Sequence, residues 1–495
     1  MTRDTSSLTG VERSLDFPTV SRSIPRRRFL VASLGAAGAA LLSACQQGAP
    51  AAPTTAPTQP AAKPTEPSKP ASTAAPTTQA AAKPTAAPAQ AKVPTEPVKI
   101  GVLAARAGVT APVGQAGLRA TEWWAQRVNQ AGGILGRQVQ LVVEEESNPK
   151  DTVERFRKLV LQDKVDVVVG LVSTGVSLAV APVAEELATP LLMWDGTTQN
   201  GVEETMPDPK WTFRSTDNEV EALVAAILTA KYFKDAKVIV GINNDYSYGH
   251  DNWQAYQYIL KQKYLPNVEF KQGIFTKLGE TEFTAHVTAL QRSGADLVMC
   301  SFWSGDAPIL LKQAAAQGLF QTMRGVFTTA GGVVDALKKE FTPEGLLIGY
   351  NTLYFAHPQA SPLLKSFVSD YHAKYHEYPP YECDHAYFVA EAYKAAVEQA
   401  AKSASGWPSK EQIAQALEGI EVESLSGQRR MREDHIMEGT FFQGLAVHTN
   451  DYDFVTIDPI EAVPTKRVMK PKAGAKLYEW IDSWKIGPDG LPQVS

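Results

Sequence analysis

VDVVVGLVSTGVSLAVAPVAEELATP, residues 165–190, decides how the rest of the chain is read. Val165 to Leu171 is a short apolar run rich in β-branched residues. Such a run is too short for an average helix and reads as a strand buried on both faces. Ser173 and Thr174 then offer two hydroxyls before Gly175, and from Val176 the apolar positions recur at helical spacing through Leu178, Val180, Val183 and Leu187. A hydroxyl residue at a helix start caps orphan N–H groups, and spare donors there attract an anionic oxygen. Taken alone, the pattern is more readily that of an ordinary N-cap than of a ligand site.

Working outward, the same alternation repeats on both sides. Val98 to Ala104 predicts a strand, Pro112 to Gln130 a helix stopped by Gly132-Gly133, and Gln138 to Glu144 a strand. A helix opens at Asn148-Pro149, and Pro190 to Trp194 is a further strand ahead of the loop Asp195 to Thr198. Strands that alternate with helices of this length predict a parallel, doubly wound α/β sheet. Phe213 to Asp217 reads as a connection, and Glu219 to Tyr232 as a helix. The alternation then restarts with strands near 236–242, 268–275, 296–302 and 325–329, separated by helices. That is a second α/β unit, too much for one sheet. Helices at 361–375, 385–402 and 409–419 follow, and strand alternation at 439–459 closes the pattern. The chain is expected to cross between two lobes more than once.

The first 97 residues are of another kind. RRRFL at 26–30 leads into an apolar run ending in Leu42-Ser43-Ala44-Cys45. The run is shorter than the roughly 20 residues of a membrane span. It fits the core of an export signal, with a twin-arginine-like start and a lipobox that makes Cys45 the lipidated first residue. Residues 46–97 are Ala, Pro, Thr, Gln and Lys with Val93 as the one larger aliphatic, a composition that predicts a disordered tether. Fully extended, it reaches on the order of 160 Å. Residues 1–44 carry six Arg against two Asp and one Glu, so the formal charge moves from −5 to −8 without them. An acidic body argues against nucleic acid as a partner. Cys300 and Cys383 are the cysteines left beyond Cys45, and Cys300 in DLVMCSFW reads as a buried free thiol.

Several stretches in this order resemble the type I periplasmic solute-binding proteins of ABC importers, specifically the branched-chain amino acid (Leu/Ile/Val) binding group. They are IGVLAARAG at 100–108, VGQAGLRATEWWAQRVNQAGGILGR at 113–137, the opening stretch, NDYSYG at 244–249, the segment 281–319, and YECDHAYFVAEAYKAAVEQA at 381–400. The resemblance implies two doubly wound parallel-sheet lobes joined by three hinge crossovers, closing on a solute in the cleft between them. It implies crossovers near 213–217, 347–353 and 423–432. Lobe 1 is then 98–215 plus 352–425, lobe 2 is 218–348 plus 430–465, and 466–495 is a C-terminal tail. The implied protein is an extracytoplasmic, lipid-anchored receptor that hands an amino acid or other small carboxylate or amide-type solute to a membrane permease. The alternative is a sensor of the same fold that signals without transport. A monomer is expected.

Ligands of open α/β sheets sit beyond the carboxyl ends of the strands. That rule selects Arg106, Ser173, Thr174, Asp195, Gly196 and Thr197 on one wall, and Tyr246, Tyr248, Trp303 and the turn at Thr329 on the other. The resemblance implies that Ser173 and Thr174 take a ligand carboxylate, that Asp195 to Thr197 bind polar groups, and that Tyr248 and Trp303 close over the ligand. Amino-acid binders of the family carry an acid after the strand that here ends at Thr328-Thr329, and this chain has none until Asp335. With Arg106 added, a carboxylate without an ammonium is the favoured solute, although Asp195 could supply the missing anion. No cofactor, metal or catalytic residue is expected. His372 and His376 are spaced like metal ligands and Cys383-Asp384-His385 follows, but Pro379-Pro380 interrupts, and these read as surface histidines. No GxSxG, HExxH or Walker motif occurs.

Overall fold

The computed structural model describes residues 94–195, 197–216, 218–404, 406–471 and 476–493. The export signal, Cys45, nearly all of the tether, and Gly196 lie outside the described residues.

The first sheet is wholly parallel, in the order β2-β1-β3-β4-β5. Its strands are β1 (Val98–Ala104), β2 (Val139–Glu145), β3 (Val167–Gly170), β4 (Leu191–Met193) and β5 (Thr212–Arg214). The helices between them are α1 (Ala111–Gln130), α2 (Pro149–Leu161), α3 (Thr174–Glu186) and α4 (Gln199–Thr205). Every residue of β3 is buried, as its unbroken apolar run requires of a strand covered on both faces. Phe213, expected in a connection, is instead part of the edge strand β5, in register with Leu192.

After β5 the chain passes through α5 (Glu219–Tyr232) into a second, mixed sheet. Its order is β16-β15-β11-β10-β9-β6-β7, with β8 also beside β6. The strands β6 (Val238–Asn244), β7 (Glu269–Phe270), β8 (Ile274–Thr276), β9 (Leu297–Cys300), β10 (Arg324–Phe327) and β11 (Leu347–Gly349) are parallel. Helices α6 (Ser247–Ile259), α7 (Thr284–Arg292) and α8 (Asp306–Ala316) connect them. The chain then returns to the first sheet through α9 (Pro362–Tyr375), α10 (Glu382–Ala401) and α11 (Lys410–Leu417). Trp124 on α1 donates its indole N–H to Glu391 on α10 at 2.7 Å, which fixes that return.

Where a bare crossover was expected, residues 421–438 build a small antiparallel sheet of β12 (Glu421–Ser424), β13 (Gly427–Met431) and β14 (Met437–Glu438). The last strands, β15 (Thr440–Val447) and β16 (Thr456–Pro464), rejoin the second sheet antiparallel to β11 and to each other. The short connection between β15 and β16 permits only antiparallel pairing of those two strands, and β15, reached by a long excursion through the first sheet's helices, also runs antiparallel to β11, so the second sheet is mixed. The tail adds α12 (Leu477–Asp482). Leu477, Ile481 and Trp484 pack into the apolar cluster formed by α5, α6 and the outer face of the second sheet. Cys300 and Cys383 are buried free thiols.

Candidate functional site

The two sheets meet at the carboxyl ends of their strands, and the walls there touch. A cavity of about 10 Å³ lies between them, lined by Val172, Thr174, Asp195, Asn218, Glu221, Tyr246, Tyr248, Trp303 and Tyr381. That is room for about one water, so a larger solute enters only when the walls part.

On the first wall, β3 ends in a helix N-terminus. The N–H groups of Val172 and Ser173 are already bound by the buried Glu146 carboxylate, at 2.9 and 3.0 Å. Desolvation holds the Glu146 carboxyl up at about 8, against the pull of those two N–H groups. Ser173 is the N-cap, but its hydroxyl makes no capping bond. What remains for a solute at this helix start is Thr174, which lines the cavity, with Gly175 next along α3. Asp195 follows β4 and is 4% exposed. Thr197 is buried beneath the cavity, where Arg214 donates to its hydroxyl at 3.1 Å.

On the second wall, Tyr246 and Tyr248 stand at the start of α6, and Trp303 lies just after β9. Trp303 donates its indole N–H to the Tyr246 hydroxyl at 3.0 Å. The Tyr248 hydroxyl donates to Glu221 Oε2 at 2.8 Å and lies 3.1 Å from Thr329 Oγ1. Trp194 and Phe302, at the neighbouring strand ends, are fully buried in the core. Arg106 is not at the cavity. Its guanidinium is half-exposed and paired with Glu145 at 2.9 Å, because both project from the upper edge of the first sheet toward solvent.

The residue that changes the reading is Glu221. It comes from α5, not from a strand end, and it is fully buried beside Thr329 and Tyr248, next to the turn where an acid was missing. Asn351 donates to Glu221 Oε1 at 2.7 Å, and Asn218 bridges Glu221 to Asp195 Oδ1. Desolvation first, and Asp195 second, push the Glu221 carboxyl well above the ordinary range. Glu382, at the start of α10, is also fully buried, and it too is driven up by desolvation and by Asp195. No Lys or Arg lines the cavity. Two sequence signals mark these residues. Glu219 and Glu221 interrupt an otherwise apolar helix, and Glu382, Asp384 and His385 crowd the first turn of another. A carboxylate in a helix buried all round needs a reason.

His372 and His376 lie outside the cavity. His372 is half-buried and stacks on Tyr378, and His376 is exposed. His385, expected at the surface with them, is fully buried because α10 is enclosed over its first turns.

A profile of the family described as "Periplasmic binding protein" matches residues 97–446. A Leu/Ile/Val-binding protein homolog 3 from Brucella melitensis is 28% identical over 228 residues, covering 45% of this chain and 59% of the relative. An amino acid binding protein from Pseudomonas aeruginosa is 30% identical over 244 residues, covering 48% and 64%. The aligned stretches thus span about three fifths of these relatives. Among solved structures, a Rhodopseudomonas palustris ABC-transporter solute binding protein in complex with 3,4-dihydroxy benzoic acid superposes with a TM-score of 0.64 at 18% identity, covering 74% of this chain and 97% of that one. The branched-chain amino acid transporter substrate binding protein LivJ of Streptococcus pneumoniae, in complex with isoleucine, gives 0.60 at 20%, covering 74% and 99%. These likenesses carry the fold.

Proposed function

This chain belongs to the periplasmic binding protein family, with its type I fold, and from that premise we propose that it is an extracytoplasmic solute receptor whose lobes close on an α-amino acid. The supporting observation is the pairing of opposite poles across one small cavity. The N–H groups of Thr174 and Gly175, at the N-terminus of α3, offer a place for a carboxylate. Glu221, backed by Asn218 and Tyr248, offers a place for an ammonium a short distance away. A helix N-terminus favours a carboxylate and a buried carboxyl favours an ammonium, and an α-amino acid carries both groups on adjacent atoms. Tyr246 and Trp303 supply the aromatic cover for its side chain.

In this reading lobe 1 comprises residues 98–215 and 352–425, and lobe 2 comprises 218–348 and 430–465. The lipobox cysteine, Cys45, anchors the receptor to the membrane, and the partner is an ABC permease. The relatives named as amino acid and Leu/Ile/Val binders favour this solute class. Among the described residues no helix is long and apolar enough to cross a membrane.

The test is a melting-temperature screen of amino acids, organic acids and amides, since a solute that binds only the folded state raises its stability. At least one α-amino acid is expected to shift the melt. Glu221→Gln is expected to weaken that solute by roughly 10- to 100-fold, the size of one hydrogen bond to a charged group. A carboxylate lacking an ammonium that bound wild type and Glu221→Gln equally well would rule the proposal out.

A further inference from the structure

Behind the cavity wall, Asp195, Glu382 and His385 converge. Each offers one ligand atom, and these atoms lie within 4.8 Å of one another. Glu382 and His385 are completely buried. Among the described residues no donor group reaches either oxygen of Glu382 and His385 Nδ1 has no partner, while the Glu382 carboxyl lies within hydrogen-bond reach of Asp195. Two buried carboxyls this close do not both ionise alone, and a positive centre between them would offset their charge in place of a shared proton.

The imidazole shows what kind. Asn351 uses its amide N–H to reach Glu221, at 2.7 Å, which leaves its carbonyl oxygen facing His385 Nε2 at 3.3 Å. Nε2 therefore carries the ring proton, and Nδ1 is a bare lone pair. Arg429 spends Nη1 on Asp384 and Thr352, and among the described residues its Nε and Nη2 bond to no side chain, Glu382 included.

The geometry points to a site for one divalent transition-metal ion, held by Asp195, Glu382 and His385 Nδ1. Two carboxylates and one neutral imidazole cancel the charge of a divalent ion and suit zinc, manganese or cobalt. A common centre with bonds near 2.0–2.2 Å holds its donors at most about 4.4 Å apart, so from within 4.8 Å of one another the three atoms close on an ion by a small inward rotation of their side chains. An organic ammonium is the poorer occupant, since Glu382 and His385 do not line the solute cavity. Asp195 belongs to both places, lying on the cavity wall and within the cluster.

The test uses the folded protein stripped with a chelator and titrated calorimetrically with Zn²⁺, Mn²⁺ and Co²⁺. One equivalent of at least one ion is expected. Glu382→Gln and His385→Gln should each weaken it by at least about 100-fold, the upper end of what losing even an outer-shell partner costs. His372→Gln should leave it unchanged. Should either ligand variant fail to fold, ¹⁵N-histidine spectra of the wild type decide, with Zn²⁺ expected to shift the Nδ1 resonance of one buried imidazole. No uptake of any of the three ions, equal uptake in the ligand variants, or shifts confined to exposed histidines would each overturn the site. The amino-acid proposal fails or stands separately, through Glu221→Gln and the solute screen.

Discussion

Glu146 shows how a single residue can redirect a site. The spare donors at the start of α3 looked free for a solute, yet two of them are spent on this carboxylate from the segment just after β2. Its pH behaviour follows from the sign of its shift. The folded state holds the Glu146 proton up to about 8, whereas the usual carboxyl releases it near 4.5. The stabilisation is therefore full below about pH 4.5 and is lost as pH rises through 8. At ~1.4 kcal/mol per unit this is on the order of a few kcal/mol. Glu221 and Glu382 shift in the same direction and steepen the slope. The solute-free protein should melt at a lower temperature at pH 8 than at pH 5.5, and Glu146→Gln should flatten part of that dependence in a calorimetric series. At this scale the sequence was only partly legible. Thr174, Asp195, Tyr246, Tyr248 and Trp303 could be found because each follows a strand of recognisable pattern. Glu146 could not, because burial of a carboxylate is a property of what packs around it, and Glu221 and Glu382 left only the indirect signal of acids set in apolar helices. Arg106 was selected by its place after β1, and a local partner, Glu145, draws it away.

Among the elements, α10 carries the most. Its first turn supplies Glu382 and His385, and Asp384 between them accepts hydrogen bonds from Ser424, Ser426, Thr352 and Arg429. Arg429 and Asp384 are both essentially unexposed, and they tie the small sheet β12-β13-β14 to this helix. Burial pushes the Arg429 guanidinium down to about 10. Removing one partner of such a pair leaves a bare buried charge, which costs about 3–5 kcal/mol. Arg429→Ala should lose that much in urea unfolding. Arg429→Met with Asp384→Asn should recover part of it. The main helices and strands were readable from period alone, since β1 and α5 have the bounds their patterns predict. The small sheet was not, because its strands are two to five residues long and their pairing is set by Asp384, forty residues earlier in the chain.

The whole molecule is held shut by contacts outside the cavity. Ser304 Oγ donates to the Val109 carbonyl at 2.6 Å, joining the loop after β9 to the loop after β1. On the other flank the Thr198 hydroxyl and the Asn200 amide donate to Asp251 of α6, at 2.6 and 3.2 Å. These bonds exist only when the two sheets are together, so they bias closure without touching a solute. Asp251→Ala should therefore weaken solute binding several-fold, chiefly through faster release, while the melting temperature of the solute-free protein changes little. Small-angle scattering should show that variant more expanded at the same solute concentration. Arg137 anchors the opposite end of the first sheet, donating to the carbonyls of Glu96 and Pro97 at 2.7 and 3.0 Å just before β1 begins. The described chain thus enters at the foot of the parallel strands, while the mouth opens at their heads. A pull applied at that entry is borne by Arg137 and β1 and has no lever on the jaws, so a sensor surface coupled there should report the same affinity as the protein free in solution.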